Sequence, residues 1–161
     1  MDLLADRVDC WEGLPYKGYS PLWQSPPSVL FGLLILLEAG GEGLLGRHGV
    51  AQVVINRVND KKQRYGKTLH SVILRKRQFS CFNPSGLEQA IKALSTVSVD
   101  LIAMATSFIA GSLTCPIVEG ATHYLNPKVA HFNNPKDDWT KSHKMEKIVI
   151  IGHHVFYEEG M

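Results

Sequence analysis

The chain holds Cys10, Cys81 and Cys115, an odd number set far apart, so no disulfide framework can be built on them, although one bridge stays open. It has no CxxC pair, which removes the usual signals for structural zinc or dithiol redox chemistry. It also lacks a dominant charge: 17 Lys and Arg against 15 Asp and Glu leave a formal net charge of +2. That is too little to argue for nucleic acid, though it modestly favours an anionic polymer as partner. Long hydrophobic runs are missing as well. The most apolar stretch, SVLFGLLILL (28–37), is half of the roughly twenty residues a membrane span needs. It lies too far along the chain for a signal peptide, Asp2 and Asp6 offset Arg7 ahead of it, and no small-residue cleavage site follows. It is read as a buried core helix, and no transmembrane segment is expected.

What remains is a chain of 161 residues, 45% hydrophobic and 20% charged, the profile of one globular domain that can bury a core without a staple. Residues 1–27 are rich in prolines and aromatic rings, including Trp11, Tyr16, Tyr19 and Trp23. This stretch reads as an irregular arm packed by its rings, with a carbohydrate platform as a second use. From 28 onward a single domain is expected. Ser28 can cap a helix that Gly40-Gly41 ends near Ala39. Valines at helical spacing predict a second helix from about Arg47, and TLHSVILRK (68–76) suggests a short third. Residues 86–112 read as two helices with a break near Ser95–Ser98, the second stopped by Gly111. The last third turns to β-branched and aromatic residues: ATHYLN (121–126) and KIVIIGHHVFY (147–157) suggest a small antiparallel sheet. The fold class expected is α+β, mainly helical with that sheet near the C-terminus.

One feature of the first helix needs a reason. Its aliphatic run ends in a carboxylate, Glu38, and two glycines separate that from Glu42. Apolar surroundings and the negative end of a helix both favour the protonated form, which a general acid requires. The Gly-Gly turn would let another chain approach closely, as a polysaccharide in a cleft must. A glutamate riding the polar face of a helix end is the plainer alternative, and local physics only nominates Glu38. Company supports the nomination. QFSCFNP (78–84) offers Gln78 and Ser80 to hydrogen-bond a sugar, GATHYLN (120–126) offers His123, Tyr124 and Asn126, and IGHHVFY (151–157) offers His153 and His154.

The order EAGGEG, GVAQVVINRV, RQFS, GATHYLN, Trp139, IGHHVFY resembles the SleB-type cell-wall hydrolase family, the spore-cortex-lytic enzymes with relatives in bacteriophages. The likeness spans about residues 30–157. It implies a lysozyme-like domain cleaving the MurNAc-β-1,4-GlcNAc bond of peptidoglycan, with no cofactor or metal. It further implies a lytic transglycosylase in which Glu38, the first glutamate of E-A-x-G-E, is both acid and base and leaves 1,6-anhydro-MurNAc ends. Glu42, Gln78, Ser80, His123, Tyr124, Asn126 and His153 carry over as cleft or scaffold residues that would bind substrate. Two features of the family's relatives, a separate peptidoglycan-binding repeat and an export signal, are not seen. An endolysin or a virion-borne lysin is therefore expected, located in the virion or in host cytoplasm before release, with the aromatic arm docking other virion proteins.

Other readings stay open. Glu42 could hold water for simple hydrolysis by a muramidase. Cys81 with a histidine could form a thiol dyad, and the late histidines a zinc site, although no ligand spacing appears and adjacent His153 and His154 on a strand would point apart. The basic stretches KKQR (61–64) and RKR (75–77) could bind nucleic acid or an anionic envelope. A non-catalytic structural or binding subunit of a virion or envelope complex is the last alternative.

Overall fold

The computed structural model describes residues 18–160. Trp11 and Tyr16 of the expected arm lie outside the described residues. The part of the arm that is described opens with α1 (Ser20–Trp23), a single helical turn whose Leu22 and Trp23 are buried together with Tyr19 in the core. The Tyr19 hydroxyl donates to the backbone carbonyl of Phe82, which ties this segment to the chain beyond the third helix.

Helix α2 (Pro27–Ala39) is apolar on almost every side, the signature of a helix surrounded by protein. Leu30, Phe31, Leu33, Leu34 and Ile35 are all fully buried. Ser28 is not its cap. The helix starts one residue earlier, with Pro27 at the first position, where a missing N–H costs nothing. Gly32 lets α6 (Val99–Ile109) and the residues leading into it cross closely, since a Cβ there would lie 2.9 Å from Cγ1 of Val97 and 3.4 Å from the Leu101 backbone carbon. The predicted break after residue 94 is present: α5 (Leu87–Ala93) runs into one tight turn, and Ser98 caps α6 by accepting from the Leu101 N–H. Gly111, at φ +74°, follows the end of α6.

Helix α3 (Leu44–Val58) begins three residues before the expected Arg47 and buries its valines against α2. Helix α4 (Leu69–Leu74) carries a capping box in which Thr68 and Ser71 satisfy each other's backbone N–H groups. The sheet has the order β1–β3–β2, antiparallel throughout, from β1 (His123–Leu125), β2 (Met145–Ile151) and β3 (His154–Glu159). Tyr124 pairs with Phe156 across β1 and β3, and the hairpin turn between β2 and β3 is Gly152-His153. Adjacent His153 and His154 therefore do not sit on one strand. Among the described residues no single helix is long and apolar enough to cross a membrane.

Sheet and helices meet at Gly49. A Cβ at that position would stand 2.7 Å from Cζ of the fully buried Phe156 ring, so only a hydrogen lets α3 lie against β3. Gly49→Ala should lower unfolding free energy by about 1–3 kcal/mol in denaturant titration, despite a gain of roughly 1 kcal/mol in helix propensity. Making room with Phe156→Leu in the same chain should make the two losses less than additive.

Candidate active site

Because α2 is enclosed by apolar neighbours, its C-terminal end is where a polar side chain can emerge, and Glu38 emerges there, partly buried. It borders a cleft of about 820 Å³ between the helical body and the sheet. The cleft brings together Glu38, Glu42, Gln78, Ser80, Tyr124, Asn126 and His153 from across the sequence. Gly41 also lines it, and a Cβ added there would meet nothing within 4 Å, so the backbone beside Glu38 is open to a ligand.

Glu38 is held by its neighbours. Oε2 accepts a hydrogen bond from the Tyr124 hydroxyl at 2.7 Å. The Cys81 thiol, half-buried, lies near enough to feel the charge of this carboxylate. Burial, then the charge of Glu38, push both the Tyr124 hydroxyl and the Cys81 thiol well above their usual pKa ranges, so each keeps its proton and remains a donor. A thiolate nucleophile at Cys81 is disfavoured by the same burial and charge. The Tyr124 ring is fixed by His154 at 5.0 Å, Phe156 at 5.8 Å and Phe79 at 6.5 Å between centroids.

Glu42 has a different environment. Its Oε1 lies 3.1 Å from Nδ1 of His153 and 3.7 Å from Nδ1 of His154, and the His153 backbone N–H approaches Oε1 at 3.3 Å. Gly152, at φ +56°, is where a Cβ would collide with the carboxylate at 2.1 Å. The carboxylate thus clasps the β2–β3 turn against the start of α3. Burial lowers the pKa of His154, which keeps that ring neutral beside it.

His123 departs from the expectation that it lines the cleft with Tyr124. Strand alternation turns it to the other face. Its ring packs against Trp139 at 5.1 Å and Tyr65 at 5.8 Å, and Nδ1 lies 3.0 Å from the Thr122 hydroxyl. It supports Trp139, which does line the cleft together with Phe132 and His131.

Arg57 was not singled out from sequence, and it organises the site. Only 5% exposed, it donates from Nε to the Thr122 carbonyl at 2.6 Å and from Nη1 to Oε1 of Gln78 at 3.2 Å. Its guanidinium lies over the rings of Phe79 (4.9 Å) and Tyr65 (5.2 Å). The preceding residue, Asn56, donates to the Ala121 carbonyl at 2.8 Å, and Gln52, more than a turn earlier, accepts from the Cys115 N–H at 2.8 Å. This polar edge of α3 holds the chain that feeds β1, and so places Tyr124. The signal was visible as Gln52, Asn56 and Arg57 among the valines and isoleucine of the second half of α3, where buried polar groups need partners.

The family signature described as Cell Wall Hydrolase matches residues 41–157. The chain belongs to that family. It is therefore a cell-wall-degrading enzyme, and the cleft is its candidate active site. No curated protein sequence matches it. Among solved structures it is similar to the catalytic domain of the germination-specific lytic transglycosylase SleB from Bacillus anthracis. That domain is 25% identical with a TM-score of 0.61, the match covering 88% of this chain and 98% of that one. The catalytic domain of the Bacillus cereus SleB protein is also similar, 25% identical with a TM-score of 0.53 over 88% of this chain and 93% of that one. Among the enzyme's described residues, no group of three or more His, Cys, Asp or Glu side chains is arranged to hold a metal ion.

The half-buried His123 gives the fold an acid sensitivity. Burial, then the Arg57 charge, lower its pKa from 6.5 to about 4. The unfolded chain binds that proton first, so the contribution of His123 is complete above about pH 6.5 and is lost as pH falls toward about 4. Denaturant titrations at pH 7 and pH 5 should show a smaller loss for His123→Phe, which keeps the ring packing, than for the wild type.

Proposed function

We propose that the enzyme is a lytic transglycosylase that cleaves the MurNAc-β-1,4-GlcNAc bond of peptidoglycan with Glu38 as its single acid and base. The observation that carries this reading is the unequal state of the carboxylates in the cleft. Glu38 and Glu42 line it among the described residues, and Glu42 is committed to the Gly152-His153 turn. A two-carboxylate hydrolase needs a second acid free to act as nucleophile or to hold water across the bond. A single carboxylate suffices when the substrate supplies its own nucleophile.

In that sequence Glu38 gives its proton to the glycosidic oxygen and the GlcNAc end departs. The resulting carboxylate takes the proton of the muramoyl C6 hydroxyl, whose oxygen bonds to the anomeric carbon and closes the 1,6-anhydro ring. Glu38 ends protonated, as it began, and no water is consumed. The Tyr124 hydroxyl donates to the carboxylate while it carries charge. Trp139 and Phe132 offer apolar faces to sugar rings on the cleft wall. Gln78 has its Oε1 occupied by Arg57, which leaves its amide NH₂ to donate to a sugar hydroxyl. The similar Bacillus anthracis domain carries the name lytic transglycosylase, which agrees with this chemistry.

Glu38→Gln should abolish release of fragments from purified sacculi while leaving the unfolding transition in place; retained cleavage would remove Glu38 from the mechanism. Mass spectrometry of wild-type products should find muramic ends lighter by one water than reducing ends. The hydrolytic alternative gives a different result with Glu42→Gln. On the transglycosylase reading this variant loses stability by about 1 kcal/mol through weakened hydrogen bonds from the His153 backbone and ring to its carboxylate but keeps most of its cleavage. A folded Glu42→Gln protein without activity would instead favour water held by Glu42.

A further inference from the structure

The cations of this chain are concentrated. Residues 60–77 contain seven Lys and Arg against the single acid Asp60, although the whole chain nets only +2. The fold joins the two loops that carry them, for Arg75 Nη1 donates to the Arg64 carbonyl at 2.7 Å. Arg64 is committed to Asp60 at 3.0 Å and Glu159 at 3.5 Å. Lys61, Lys62, Lys67 and Arg75 are exposed. This strip ends at the cleft, where Arg77 is part of the wall beside Gln78. Arg77 is exposed, has no ion pair among the described residues, and sits at φ +62°, a left-handed conformation that few residues other than glycine adopt and that clusters at ligand clamps. The other arginine of the cleft, Arg57, is buried and bonded to Thr122 and Gln78.

A neutral glycan offers hydroxyl and carbonyl acceptors to a guanidinium but no opposite charge. A peptidoglycan strand also carries short peptides on its muramic residues, and those stems end in carboxylates. The planar fork of an arginine suits a carboxylate with two parallel hydrogen bonds. We propose that Arg77 is a specificity-determining contact that pairs with a stem-peptide carboxylate of the strand bound in the cleft, the basic strip behind it attracting neighbouring stems. This inference rests on the glycan-cleavage reading above and adds that the enzyme distinguishes strands by the charge of their peptides.

The test compares solubilised peptidoglycan strands with stem carboxylates free or blocked as neutral methylamides. Arg77→Asn removes the charge with a residue that tolerates left-handed backbone, so thermal unfolding should be preserved. On free strands it should raise KM about tenfold with little change in kcat, and Arg77→Lys should fall between. On blocked strands wild type and Arg77→Asn should have the same, higher KM. An unchanged KM on free strands overturns the proposal, as does an equal rise on both substrates, which would place the contact on the glycan. Equilibrium binding of the Glu38→Gln protein to the two strand types needs no cleavage, and so separates failure of this inference from failure of the proposed reaction. Tighter binding to free strands that disappears with Arg77→Asn added supports the inference, and equal binding to both strand types overturns it.

Discussion

A helix with apolar side chains on all sides can be covered completely except at its ends, and the rest of this structure follows from that constraint. α2 is sealed by α3, α4 and α6, so the peptide turn after Ala39 and the carboxylate just before it are forced to the boundary of the core. Glu38 is thereby placed on rigid backbone, with one side against buried protein and the other against the cleft. A catalytic group on such a support loses little freedom when substrate arrives, which is the condition for positioning to contribute to rate.

Around that end two polar assemblies divide the work. Arg57 holds Gln78 and the chain leading to Tyr124, with its guanidinium over two aromatic rings and Nε and Nη1 each donating to an oxygen acceptor. Glu42 and the histidines hold the hairpin turn against α3. The first fixes what touches Glu38, and the second holds Glu42, His153 and His154 in the cleft lining. Both bridge residues far apart in the chain. Leaving one partner of either buried would cost more than the contact itself is worth, because a stranded charge or donor keeps its full desolvation penalty.

Much of the fold was legible because local rules agreed with the packing. The all-apolar run, the break near Ser95–Ser98 and the β-branched and aromatic segments at 121–126 and 147–157 each pointed to the element that forms. Boundaries slipped where a local cue had a competitor: Pro27 outranked Ser28 as the helix start because its ring already holds the helical φ. The candidate site was legible as a set of motifs and not as a geometry. His123 and Tyr124 were read as one unit, and strand alternation separated them. His153 and His154 were expected to diverge on a strand, and the turn at Gly152 gathers both at Glu42.

By itself the sequence determined that a buried helix ends in a glutamate beside a flexible glycine pair, since hydrophobicity, helix propensity and the needs of glycine backbone act over a few residues. Only the tertiary structure decided that Glu42 is tied to a hairpin while Glu38 stays available to the cleft, that Arg57 is a buried brace and that Arg77 is an open cation. Each of those states depends on partners brought from distant segments, and whether a charge is neutralised, buried or free is settled by which groups the packed chain sets within hydrogen-bonding distance.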